Sequence, residues 1–116
     1  MKQFSAKRSI QILGHVLEQY GIDKMVISPG SRNAPLAIHF SELDSFECFS
    51  IVDERSAAFV AMGMAKSIKK PVAISCTSGS AAANYYPAIT EAFYQNTPLL
   101  VLTADRPTDF VDIFDG

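Results

Sequence analysis

Lys24-Met25-Val26-Ile27-Ser28-Pro29-Gly30-Ser31-Arg32-Asn33 passes from an apolar segment of strand length directly into a turn and the start of a helix. Met25-Val26-Ile27 shows no polar alternation, as expected of a short strand covered on both faces. Pro29-Gly30 stops it, Asn33 is a good N-cap for the next helix, and Pro35 is tolerated in that helix's first turn. The unit recurs downstream. A strand is predicted over Phe46 to Val52, a helix from about Glu54 to Ile68, a strand over Val72 to Cys76, a helix from about Ser80 to Tyr94 and a strand over Leu99 to Thr103. Pro87 is expected to kink the last helix or shorten its regular part. Upstream, Ile10, Leu13, Leu17 and Tyr20 recur at helical spacing, and Gly21 stands where a helix would stop. Alternating short apolar strands and helices make βαβ units, whose crossovers force a parallel sheet. The expected fold is therefore α/β, a doubly wound parallel sheet with helices on both faces.

In such a sheet the carboxyl ends of all strands share one edge, so the segments that follow them converge. Here those segments are Ser28 to Asn33, Asp53 to Ser56, Thr77 to Ser80 and Thr103 to Pro107. The first is a donor-rich turn at a helix start, where free N–H groups and the helix dipole favour an anion, and Arg32 adds a planar fork suited to carboxylate or phosphate. Its bland alternative is a tight turn with a solvated arginine. Glu54 opens a helix, where the dipole alone would justify a carboxylate; an acid–base role requires it to be partly buried, and Arg55 is its natural ion-pair competitor. Thr77-Ser78-Gly79-Ser80 lacks the lysine of a phosphate-binding P-loop and the spacing of a dinucleotide fingerprint, while Gly79 would admit a ligand or another backbone. Arg106 precedes Pro107, which biases it toward extended backbone and aims it along the strand-end edge near Arg32, with Asp105 able to hold it. Two arginines over one cleft suit a substrate with more than one carboxylate.

Composition narrows the classes. The 116 residues are 48% hydrophobic and 19% charged, enough for one globular domain with a core. A net charge of −2 and a pI near 5.6 argue against a nucleic-acid or acidic-membrane partner. The N-terminal residues carry no apolar signal core and no run is long enough to span a bilayer, so a cytoplasmic location is expected. Cys48 and Cys76 fall in apolar strand-like runs and read as packed thiols rather than a disulfide or metal pair. His15 and His39 fall inside predicted helices, as packing or surface residues, and no Gly-x-Ser-x-Gly elbow is present. The helix from Ala57 to Ala65 is apolar nearly all round, which points to an oligomer contact beside Glu54. Phe110, Val111, Ile113 and Phe114 crowd a tail with no further element to bury them. The chain is expected to be cut within a larger protein, with a folded-back amphipathic turn as the alternative.

Ser28-Pro29-Gly30-Ser31-Arg32-Asn33, Asp53-Glu54-Arg55-Ser56-Ala57-Ala58-Phe59, the stretch from Thr77 to Ala88 and Leu102-Thr103-Ala104-Asp105-Arg106-Pro107, in this order, resemble the N-terminal part of the 2-succinyl-5-enolpyruvyl-6-hydroxy-3-cyclohexene-1-carboxylate synthase (SEPHCHC synthase) family. The similarity covers essentially the whole chain. It implies a thiamine diphosphate-dependent enzyme of menaquinone biosynthesis, with magnesium (or manganese), that decarboxylates 2-oxoglutarate and adds the succinyl semialdehyde unit to isochorismate. Residues 1–116 would be an incomplete pyrimidine-binding domain lacking the middle and diphosphate-binding domains, inactive alone and without metal ligands of its own. The intact enzyme would be a homodimer or homotetramer. By the same resemblance Glu54 hydrogen-bonds the aminopyrimidine nitrogen of the cofactor, promoting the imino tautomer that takes the thiazolium proton. Ser78 and Gly79 pack near the pyrimidine ring, and Ser31, Arg32 and Arg106 hold substrate carboxylates. The competing readings are the pyrimidine domain of another thiamine diphosphate enzyme, such as an acetohydroxyacid synthase or 2-oxoacid decarboxylase, and a non-catalytic flavodoxin-like binding module. A buried Glu54 beside a second subunit would favour the enzyme, and an exposed Glu54 in a compact monomer the module.

Overall fold

The computed structural model describes residues 1–110; of the apolar tail, Val111 to Phe114 lies outside the described residues. The elements are α1 (Arg8–Gln19), β1 (Lys24–Ile27), α2 (Ala34–Glu42), β2 (Glu47–Ser50), α3 (Glu54–Ile68), β3 (Val72–Cys76), α4 (Ser80–Asn84), α5 (Tyr86–Tyr94), β4 (Leu99–Thr103) and a 3-10 turn (Thr108–Phe110). The four strands form one parallel sheet in the order β2-β1-β3-β4.

Successive strand residues face opposite sides, and here both sides are covered. Met25 and Ile27 join Leu17, Phe40 and Phe46 beneath α1 and α2. Val26 joins Val72, Ile74 and the alanines of α3 on the other side, together with Tyr85 and Ala88. That is why Met25-Val26-Ile27 carries no polar alternation. Ala57, Ala58, Ala61 and Ala65 form the buried stripe of α3, small enough to seat its backbone close on the sheet. The rest of that helix is less covered: Val60 and Gly63 are exposed in the single chain. His39 is buried, stacking edge-on with Phe40 and Phe4 and accepting a hydrogen bond from the Ser5 N–H, whereas His15 lies on the exposed side of α1. Cys48 and Cys76 are both free thiols.

Several boundaries and roles differ from expectation. Tyr20 is 78% exposed rather than part of the α1 stripe. The helix has already ended: Gly21 sits at φ +71°, its N–H bonds to the Glu18 carbonyl and the Ile22 N–H to the Leu17 carbonyl, so Ile22 takes the buried place. This is a Schellman stop, which needs glycine at its left-handed position. Gly14 completes the stripe instead. β2 is shorter than Phe46 to Val52 because β1, its one neighbour among the described residues, offers four residues of register. The predicted helix from Ser80 to Tyr94 is interrupted at Tyr85, since Pro87 brings no N–H to continue the ladder. Asn33 stands at the N-cap position of α2 but makes no side-chain cap; its amide is used elsewhere.

Candidate functional site

The crossover through α2 carries the chain from β1 to β2 in one direction, and the chain then returns through α3 to β3 on the opposite side of β1. Strand order therefore reverses between β1 and β3, the position where open α/β sheets leave a crevice outside their carboxyl ends. The crevice walls are stitched by short polar bonds. Ser28 donates its N–H to the Ser75 carbonyl at 2.9 Å and its hydroxyl to the Ile51 carbonyl at 2.7 Å, tying the ends of three strands. The fully buried Asn33 amide donates to the Ser28 carbonyl at 3.0 Å and to Ser75 Oγ at 3.4 Å, which is why it does not cap its own helix. Ala104 donates to the Cys76 carbonyl at 3.0 Å, adding the end of β4.

Gly30 lies directly against Thr77. A Cβ placed on Gly30 would sit 2.6 Å from Thr77 Cβ, so the turn after β1 approaches the turn after β3 only because that atom is missing. At Gly79, expected to admit a ligand or another backbone, no described backbone comes close: nothing lies within 4 Å of its would-be Cβ, and its φ of +73° needs glycine in any case.

Three of the residues singled out by sequence meet in one cavity. Ser31, Arg32 and Arg106 line a space of about 380 Å³ with Lys7, Pro35, Asp105 and Pro107. Arg32 is half-buried and its Nε is shielded from solvent without a hydrogen-bond partner among the described residues. Asp105 accepts the Arg106 backbone N–H at 2.7 Å and so sets the course of the chain into Pro107.

Glu54, Ser78 and Gly79 do not line that cavity. Glu54 begins α3 just after its N-cap Asp53, whose carboxylate accepts the Ser56 N–H at 2.8 Å and the Ser56 hydroxyl at 2.7 Å. Those two bonds hold the Asp53 carboxyl below its usual range, with Arg55 helping. With Asp53 acting as cap, Glu54 is left half-buried and makes no hydrogen bond or ion pair among the described residues, with Arg55 or otherwise. Its charge reaches inward as far as Cys76 and Tyr85. Burial pushes both groups up, most strongly the Tyr85 phenol, and Glu54 adds to each. Ser28 and Cys76 lie near the Tyr85 hydroxyl, yet neither meets it with hydrogen-bond geometry, and among the described residues the buried hydroxyl has no partner. Thr77 Oγ1 is in the same condition. Sequence reading missed Tyr85, although Ala81, Tyr85, Ala88 and Ala92 recur at helical spacing and are the buried stripe of α4 and α5.

Residues 8–114 match the family described as thiamine pyrophosphate enzyme, N-terminal TPP binding domain. The chain belongs to this family. As a thiamine pyrophosphate enzyme N-terminal domain it is similar to the 2-succinyl-5-enolpyruvyl-6-hydroxy-3-cyclohexene-1-carboxylate synthase of Flavobacterium johnsoniae, 58% identical over 96 residues that make up 83% of this chain and 17% of that protein. The synthase of the same name from Desulfotalea psychrophila is 55% identical over 106 residues, 91% of this chain and 20% of that protein. The chain thus spans about a fifth of the length of these relatives. Among solved structures, a putative thiamin diphosphate-dependent enzyme from Mycobacterium smegmatis matches with a TM-score of 0.83 at 20% identity, over 95% of this chain and 21% of that one. Benzoylformate decarboxylase from Polynucleobacter necessarius matches with a TM-score of 0.79 at 22% identity, over 87% of this chain and 19% of that one. At these identities the two structures establish the TPP-binding-domain fold. No helix among the described residues is long and apolar enough to cross a membrane.

Proposed function

We propose that this chain is the pyrimidine-binding domain of a SEPHCHC synthase, an enzyme of menaquinone biosynthesis that decarboxylates 2-oxoglutarate and adds the resulting four-carbon unit to isochorismate. The supporting observation is the cavity in which Arg32 and Arg106, delivered by two separate loops, stand together with Ser31. Such a pair suits acidic substrates, each guanidinium forking one carboxylate. The relatives that share more than half of their aligned residues with this chain carry that synthase name.

The unpartnered polar atoms at the same sheet edge fit an aminopyrimidine, which bears donors and acceptors around one planar ring. Among the described residues Glu54 is half-buried and its carboxylate unpaired, and the Tyr85 hydroxyl and Thr77 Oγ1 lack partners. When bound, thiamine diphosphate supplies the electron sink for losing carbon dioxide from a 2-oxo acid. Glu54 would hold a proton at a pyrimidine nitrogen. Ser78 and Gly79 form the turn beside the ring. Ser31, Arg32 and Arg106 bind and orient the substrate carboxylates. The middle domain, the diphosphate-binding domain and the ligands for Mg2+ (or Mn2+) belong to the remainder of a longer protein, so these 116 residues alone bind cofactor poorly and do not turn over. The uncovered side of α3 around Val60 and Gly63 serves a homodimer or homotetramer contact beside Glu54, and the enzyme works in the cytoplasm.

The test is the full-length protein supplied with thiamine diphosphate, magnesium, 2-oxoglutarate and isochorismate. Formation of the SEPHCHC product, lost in Glu54→Gln, is the expected result. Decarboxylation of 2-oxoglutarate with no transfer to isochorismate would reassign the chain to a different thiamine diphosphate enzyme.

A further inference from the structure

Lys7 lies 25 residues before Arg32 and outside the strand-end segments, yet it lines the same cavity as Arg32 and Arg106. Resting on the reading of that cavity as the substrate carboxylate site, we propose that Lys7 is its third cation and tunes the site toward a 2-oxo acid with a second carboxylate.

The position is built rather than incidental. The Lys7 carbonyl accepts the first bonds of α1, from the N–H groups of Ile10 at 3.1 Å and Gln11 at 3.2 Å, while its own N–H donates to Ser5 Oγ at 3.2 Å. The backbone is thus held whatever the side chain is, and the side chain leaves from the positive end of α1. Among the described residues the Lys7 ammonium has no ion pair, whereas Lys2, Lys24 and Lys70 are paired with Asp44, Glu47 and Asp23. Among the described residues that line it, the cavity brings Lys7 and Arg32 together with Arg106 and Asp105, whose Oδ1 accepts the Arg106 N–H. Neither α1 nor α2, which begin at this cavity, carries an acidic residue in its first turn, so both helix dipoles favour an anion there.

Arg32 and Lys7 offer an acidic substrate two different holds. Arg32, half-buried with Nε shielded and unpartnered among the described residues, is fixed enough to fork a single carboxylate. Lys7 is exposed at the rim on a flexible stem, a point charge able to follow a more distant carboxylate without demanding one geometry. Its contribution should be modest and sensitive to salt, because water reaches it.

The test compares 2-oxoglutarate with the monocarboxylate 2-oxobutyrate in the full-length protein. Lys7→Gln should raise KM for 2-oxoglutarate about three- to tenfold at low salt, with the shift falling on KM more than on kcat. The KM for 2-oxobutyrate should move less than about twofold, Lys7→Arg should restore most of the loss, and added salt should shrink it. Lys24→Gln, a paired surface lysine, is the control for general charge loss. An equal shift for both acids, or no shift for 2-oxoglutarate while Arg32→Ala weakens it, overturns the role of Lys7 and leaves the cavity assignment standing. If Arg32→Ala is silent as well, the reading of the cavity as a substrate site fails first, and Lys7 falls with it.

Discussion

Replacing Gly30 with alanine tests the closest contact in the candidate site. The new Cβ would lie 2.6 Å from Thr77 Cβ and 2.7 Å from Thr77 Cγ2, against an ordinary carbon–carbon separation of about 3.5–4.0 Å. Rotating the threonine removes only the Cγ2 clash, because Cβ moves with the backbone. The two turns must therefore separate by roughly 1 Å, and overpacking of this kind costs about 1–3 kcal/mol. Alanine also restricts the unfolded chain, returning about 0.4–1 kcal/mol, so the net loss should be about 1–2 kcal/mol. With a urea m-value of about 1–3 kcal/mol/M, the unfolding midpoint should fall by roughly 0.3–2 M. Thr77→Gly, made alone and with Gly30→Ala, closes a double-mutant cycle whose coupling should be about 1–2 kcal/mol in favour of the pair. Thr77→Ser keeps Cβ and should rescue only partly. A Gly30→Ala midpoint equal to the parent's, or additivity in the cycle, would refute the claim that these turns touch through the missing side chain.

Glu54→Gln should leave the unfolding midpoint nearly unchanged, since the Asp53 cap remains, yet slow hydrogen exchange at the thiazolium carbon of bound cofactor by about a hundredfold or more, as followed by NMR; an unchanged exchange rate would reduce Glu54 to a helix-start charge. Arg32→Ala and Arg106→Ala should each lower kcat/KM by roughly ten- to a hundredfold, equivalent to about 1.5–3 kcal/mol, with cofactor affinity retained and lysine rescuing partly; weakened cofactor binding with normal substrate constants at saturation would move both arginines to the cofactor. Tyr85→Phe removes a buried hydroxyl that has no partner among the described residues and should stabilise the cofactor-free protein by about 1 kcal/mol in thermal or urea unfolding, whereas a comparable loss would reveal a bond to Ser28 or Cys76. The Asp53 carboxyl titrates below its unfolded value of 3.8, so its stabilisation is complete above that value and drains away as pH falls through the lower folded one. Asp53→Asn keeps an N-cap acceptor, and urea midpoints measured between about pH 2 and pH 6 should show that it removes this acid-sensitive component.

Much of this architecture is local, and so it was legible in the chain. The bounds of α3, β3 and β4 coincide with those read from apolar runs and caps, because a strand with apolar residues on both faces and a helix with a clear start each advertise themselves within a few residues. The parallel sheet followed from the alternation of such elements, and the four strand-end segments announced a common edge. Packing decided the remainder. Asn33 could be read as a cap, but only the meeting of β1 and β3 offered its amide the Ser28 carbonyl and Ser75 Oγ, stronger claims on a buried group than its own helix end. Gly30 was read only as part of a strand stop, and its close approach to Thr77 was not legible, since such an approach depends on what another loop brings. Arg32 and Arg106 were expected to meet, but Lys7 joins them only because α1 and α2 begin at the same end of one face of the sheet. Sequence determines which groups a segment carries and how it prefers to run; contacts between distant segments, and hence which charges share a cavity, arise from the order in which the strands pack.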